Sequence, residues 1–114
     1  MGLAQTNQVD YIGIDRRSGN VVLSLLDELD WLDEGNHLQL LQDKLNTYLA
    51  YIESEQVYEG TSEWRDKQID IYVYARCQYT HEGAKFLELA SQVISEAGYG
   101  FMWVHVPDEE DDEH

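Results

Sequence analysis

A chain of 114 residues with 43% hydrophobic side chains is the size of one domain and can bury a modest core without staples. Its charge is lopsided: 23 Asp and Glu against seven Lys and Arg give −16, and setting aside the six acids of 108–113 still leaves −10. With no run of Lys or Arg to displace counterions, that balance argues against direct contact with nucleic acid or with anionic membrane surfaces, and for a basic protein partner or a role in which solubility is the point.

The single cysteine, Cys77, has no partner for an intramolecular bridge, which argues against a disulfide-stapled secreted fold. The start of the chain lacks the basic and apolar regions of a signal peptide. No stretch approaches the roughly 20 apolar residues that span a bilayer. A cytoplasmic location is the expectation.

Residues 1–8 are polar and patternless and read as a flexible N-terminal lead. Val9 to Ile14 reads as a strand, Ser18-Gly19-Asn20 as a turn, and Val21 to Leu26 as the returning strand of a hairpin. An acidic segment from Asp27 to Gly35 carries Trp31. Asn36 with Gln39 three residues later has the pattern of a capping box, and Leu38, Leu41, Leu45, Tyr48, Leu49 and Ile52 recur at helical spacing, so the sequence predicts an amphipathic helix over His37 to Ser54. Glu55 to Lys67 is long for a connection and either is functional or hides a short element. Gln68 to Cys77 alternates as a strand. Thr80 can cap a second helix whose stripe is Phe86, Leu87, Ala90, Val93, Ile94 and Ala97, with Gly98 as its stop. Tyr99 to Val106 is the last strand, before Pro107.

The predicted architecture is α+β: a two-layer sandwich of ββαβαβ order, with a four-stranded sheet and two helices on one face, in a single domain at 9–107 followed by an acidic disordered tail at 108–114. Side chains alternate along a strand. Ile69, Ile71, Val73, Ala75 and Cys77 therefore share one face of the third strand, opposite Asp70, Tyr72, Tyr74 and Arg76. In the last strand Gly100, Met102, Val104 and Val106 oppose Tyr99, Phe101, Trp103 and His105. If the aliphatic sets meet the helices, Tyr72, Tyr74, Arg76, Tyr99, Phe101, Trp103 and His105 form an uncovered aromatic face, the anchor-and-rim composition of an interface. A homodimer through that face is expected.

Asp27, Glu28, Asp30, Asp33 and Glu34 form an acidic surface suited to a basic partner, and crowded carboxylates can also hold a divalent cation. Their spacing does not match a calcium loop. Cys77 and His81 have a Cys-x3-His spacing, with His105 on the last strand, but one cysteine is too few for a structural zinc site, and Cys77 reads as a small core residue. His37 and His81 fall at helix starts, where capping accounts for them. No phosphate loop, nucleophile elbow or His-Glu-x-x-His pair occurs. No catalytic residue, metal ligand or cofactor is singled out.

The run His37-Leu38-Gln39-Leu40-Leu41-Gln42-Asp43-Lys44-Leu45-Asn46-Thr47-Tyr48-Leu49, with Ile52-Glu53-Ser54, the preceding Asp27 to Trp31 and the later Gly83-Ala84-Lys85-Phe86-Leu87, resembles a family of small bacterial proteins of unknown function. The likeness extends over most of 9–106. It implies a bacterial cytosolic domain and carries no activity with it. Gln42, Lys44, Asn46 and Glu53, polar residues of that helix, are expected to hydrogen-bond the backbone of the acidic loop, or else to line a shallow site.

Three functional readings follow. The first is a non-catalytic acidic interaction domain, homodimeric, of the immunity or antitoxin type that covers a basic protein. The second is a small-ligand binder or enzyme with a pocket beside the 55–67 loop, near Tyr58, Trp64 and His105. The third is a divalent-cation binder through the 27–34 loop.

Overall fold

The structure, a computed structural model, describes residues 2–106. Tyr11–Ile14 (β1) and Val21–Asp27 (β2) form an antiparallel hairpin. Its turn is tied by Asp15, whose carboxylate accepts from the Arg17 N–H and the Ser18 hydroxyl. Glu34–Glu53 (α1), Ile69–Ala75 (β3), His81–Glu96 (α2) and Gly100–His105 (β4) complete the predicted order. The sheet runs β1-β2-β3-β4, with β2, β3 and β4 parallel.

Both crossovers lay their helices on the same face. Val21, Leu23 and Leu25 of β2 and Ile69, Ile71 and Val73 of β3 are buried against Leu41, Leu45, Tyr48 and Ile52 of α1 and Ile94 of α2. The helices thus cover one side of the sheet, and a two-layer α+β sandwich results. The acidic tail at 108–114 lies outside the described residues.

Three sequence expectations are revised by local chemistry. Helix α1 begins before Asn36: Asp33 is its N-cap, with the carboxylate accepting from the Asn36 N–H at 3.2 Å. Asp33 is as good a cap as Asn36, and the earlier start adds a turn ahead of His37, which is buried on the helix stripe. The 55–67 connection holds two short 3-10 turns, Gln56–Tyr58 and Ser62–Asp66, with Val57 buried beneath the first. The N-terminal segment is not a loose lead. Leu3 is fully buried, its N–H donates to Glu28 Oε1 at 3.0 Å, and the Thr47 hydroxyl donates to the Thr6 carbonyl.

What holds that segment is a buried ion pair. Lys44 Nζ donates to the carbonyls of Gly2 (2.7 Å) and Gln5 (2.8 Å) and to Asp10 Oδ1 (2.9 Å), so all three ammonium protons have acceptors. Asp10 also accepts from the N–H of Gly2 at 3.0 Å and of Leu26 at 2.9 Å. Burial pushes the Asp10 carboxyl up, but the Leu26 N–H, the Lys44 ammonium and the Gly2 N–H together hold it below its ordinary value. Lys44 therefore supports the N-terminal backbone, where the acidic loop was expected.

Candidate interaction face

Register decides which side chains meet on the open side of the sheet. In a parallel pair, residues in register share a face. Phe101 lies opposite Ile71 and Trp103 opposite Val73, both on the helix side, whereas Met102 and Val104 lie opposite Tyr72 and Tyr74. The faces of β4 are thus reversed from the sequence expectation. A period of two groups residues into faces without saying which face points inward. Both faces of β4 are apolar, so composition gave no polar side to mark the solvent. Phe101 and Trp103, ring centroids 5.6 Å apart, close the end of the core beside Ile71 and Val73, and Tyr99 packs there as well. His105 stands opposite Ala75 on the helix side, exposed, with Nε2 3.0 Å from the Arg76 carbonyl oxygen.

The seven residues expected to form one face are therefore divided. Tyr72 and Tyr74 are on the open side, Arg76 is exposed just beyond β3, and Tyr99, Phe101, Trp103 and His105 are not part of that surface. In their place stand residues that the alternation left unassigned: Val22 and Leu26 from β2 and Tyr11 from β1 share the open side with Tyr72, Tyr74, Met102 and Val104. Tyr72 and Tyr74 meet edge to face at 6.3 Å. Met102 is 48% exposed and Tyr11 52%. Polar groups border this surface. Asp70 accepts from Asn20 Nδ2 at 3.0 Å, and partial burial with the nearby Asp70 and Asp15 carboxylates pushes the Tyr72 hydroxyl pKa up. Among the described residues no element packs across this side.

The acidic loop is built differently from a ligand cage. Asp27 closes β2 and is 2% exposed, so it leaves the acidic surface to Glu28, Asp30, Asp33 and Glu34. Glu28 accepts from the Leu3 N–H, Asp30 from the Leu32 N–H and Asp33 from the Asn36 N–H, so these carboxylates turn toward separate backbone amides. Among the described residues, no three His, Cys, Asp or Glu side chains converge as metal ligands.

Asp27 instead meets His37, a contact the sequence reading did not foresee. His37 Nε2 lies 2.6 Å and 2.8 Å from the two Asp27 oxygens, and its Nδ1 donates to the Asp30 carbonyl at 2.8 Å. With Nδ1 acting as a donor, Nε2 either donates to ionised Asp27 or accepts from its protonated form, so one proton lies between them. Burial pushes the Asp27 carboxyl up, and the His37 hydrogen bond only partly opposes it. Trp31 stacks on the imidazole at 3.6 Å, and its far edge sits where a Cβ on Gly83 would come within 2.7 Å. An acid–histidine pair has the residue types of a proton-transfer dyad. Here both imidazole nitrogens are engaged and one ring face is covered, so the pair fastens the 27–33 loop to α1. The indole N–H of Trp31 and the hydroxyl of Tyr79, both buried, have no hydrogen-bond partner among the described residues.

The three residues expected around a pocket beside the 55–67 loop do not come together. Tyr58 and Trp64 pack against the core near the entry to β3, while His105 is at the exit of β4, the opposite end of the parallel strands. A shallow concavity of about 650 Å³ lies instead between the N-terminal segment, β1 and α1, lined by Asn7, Val9, Asp10, Thr47 and Tyr51. Its one charged group, Asp10, is already bound to Lys44.

The fold is thus a helix-covered sheet with one open, largely apolar side. The chain belongs to a family of unknown function, DUF6572, whose model matches residues 1–107. No curated protein and no solved structure matches it. No helix among the described residues is long and apolar enough to cross a membrane.

Proposed function

We propose that this protein is a non-catalytic interaction domain that pairs with a second copy of itself, open sheet side against open sheet side. The observation that carries this reading is the set Val22, Leu26, Tyr72, Tyr74, Met102 and Val104, interrupted only by Ser24 and Asp70 among the side chains of β2 and β3 there, on a surface that a solvent-facing sheet side would fill with polar residues. Four strands about 4.8 Å apart and about 20 Å long present roughly 400 Å² in projection. Two such faces bury about 800 Å², below the roughly 1,200 Å² at which specific stable interfaces begin, so the dimer is weak and concentration-dependent. The net charge of −16 per chain opposes it further, and added salt relieves that repulsion.

The same charge favours a neutralising role toward a basic partner, which the exposed Glu28, Asp30 and Asp33 would meet by electrostatic steering. Light scattering across a concentration series tests the first reading. A mass that rises toward the dimer in wild type, and stays monomeric in a folded Tyr74→Asp variant, supports it. A wild-type mass that stays monomeric at every concentration and salt level overturns it.

A further inference from the structure

Helices α1 and α2 follow parallel strands, run in the same direction and touch each other only lightly. Between them lies a groove of about 270 Å³ whose lining includes Gln42, Asn46 and Leu49 of α1 and Phe86, Leu89 and Val93 of α2. Leu89 is 55% exposed and Val93 59%, four residues apart on one stripe of α2, where a solvent-facing helix would carry polar residues. Helical spacing places Glu53 on the stripe of Gln42, Asn46 and Leu49, and Glu82 and Glu96 on that of Phe86, Leu89 and Val93. Neither helix has a basic residue in its last turn. Both partial negative charges of the helix C-termini therefore sit at one end of the groove, reinforced by Glu53 and Glu96.

Lys85, exposed and four residues before Leu89, stands among these acids, but the border stays net negative, and an apolar floor with a net acidic border selects a helix that is apolar on one side and basic on the flanks. We propose that the α1–α2 groove docks an amphipathic helix of a basic protein partner, its apolar side on Leu49, Phe86, Leu89 and Val93 and its Lys or Arg residues toward Glu53, Glu82 and Glu96. This surface lies on the opposite side of the molecule from the sheet face and does not depend on self-association. It also gives the neutralising role a place on the fold.

The test uses the full chain and a labelled peptide of Leu and Lys about four turns long, the length of α2, with Leu at helical spacing. Two controls accompany it: the same composition in scrambled order, and the same pattern with Glu for Lys. The expected result is that the patterned basic peptide binds, becomes helical by circular dichroism on binding, and binds at least about tenfold tighter than either control. Leu89→Asp and Glu53→Gln/Glu96→Gln variants each weaken it by a similar factor, while Tyr74→Asp leaves it unchanged. Equal binding of the scrambled peptide reduces the effect to charge attraction and overturns the proposal. So does binding that Leu89→Asp leaves intact. A solution mass that falls in Leu89→Asp shows that a second copy occupies the groove, which overturns it as well.

Discussion

Asp10 and Lys44 lie 34 positions apart in the chain and 2.9 Å apart in the fold, both side chains wholly shielded from solvent. Between them they satisfy the backbone of Gly2, Gln5 and Leu26. The pair is the point at which the N-terminal segment, the hairpin and α1 are joined.

Replacing Lys44 with Met is expected to cost about 3–5 kcal/mol, because a buried carboxylate and two carbonyls lose their donor together. Replacing Asp10 with Leu in the same chain is expected to restore part of that loss, since the uncompensated charge then disappears. Urea denaturation of the two single variants and the double variant measures it. Additive losses would show that the residues are not coupled.

The two buried carboxyls respond to pH with opposite signs. Asp10 lies below its ordinary value of 3.8 in the fold, so its contribution is present above that value and is lost as pH falls through the lowered one. Asp27 lies above 3.8, so its protonated form is favoured in the fold, and stability falls as pH rises from the ordinary value through the raised one. Denaturation midpoints across this acid range should accordingly decline less steeply on acidification in Asp10→Asn than in wild type. Asp27→Asn should lack the decline with rising pH. Parallel curves for all three proteins would contradict the assignment.

Gly83 sits in the first turns of α2, where alanine ordinarily adds up to about 1 kcal/mol of helix stability. Here a methyl group would come within 2.9 Å of two atoms at the far edge of the Trp31 indole. Gly83→Ala is therefore expected to destabilise by about 1–3 kcal/mol. In a Trp31→Phe background, where those edge atoms are gone, the same change should be close to neutral. Trp31→Phe itself gives up an indole N–H that has no partner among the described residues, so it should cost less than Trp31→Ala, which uncovers His37. Thermal melts of wild type and the four variants decide the point, and an equal effect of Gly83→Ala in both backgrounds would refute it.

Acid substitutions on β4 report its orientation directly. Trp103→Asp buries a charge beside Val73 and is expected to abolish cooperative unfolding, whereas Met102→Asp, one position away, should leave a folded protein. Far-ultraviolet circular dichroism with a denaturant titration distinguishes them. A folded Trp103→Asp protein would mean that the aromatic side faces outward after all.

Element order, both helices, the cap at Thr80 and the stop at Gly98 were legible because each has a local cause: hydrophobic period, a hydroxyl at the cap, a glycine at positive φ. The orientation of β4 was not, since Phe101, Met102, Trp103 and Val104 are apolar on both sides and only pairing with β3 orders them. Leu3 and Asp10 gave no pattern of their own; their meaning depends on where α1 passes. Lys44 and His37 did leave a signal, one that capping and loop support had explained away. Both fall on the stripe of Leu41, Leu45, Tyr48 and Ile52, and an ionisable group on an apolar stripe requires a buried partner. The stripe pointed to a partner for each, and only the fold could name Asp10 and Asp27. Of the candidate face, Tyr72 and Tyr74 were readable from β3 alone, and the rest depended on register across three other strands.

The pairing of β2 with β3 has a consequence for how the chain is assembled. Val21 meets Ile69 and Leu25 meets Val73 only after the whole of α1 and both 3-10 turns have been made. A fragment ending before Ile69 has a hairpin and a helix but lacks the strand that fills the middle of the sheet, so Leu23 and Leu25 lose a neighbour along their whole length. Nascent or truncated chains of that length are expected to stay soft and open to proteases, and hardening should come in one late step as β3 slots between β2 and β4.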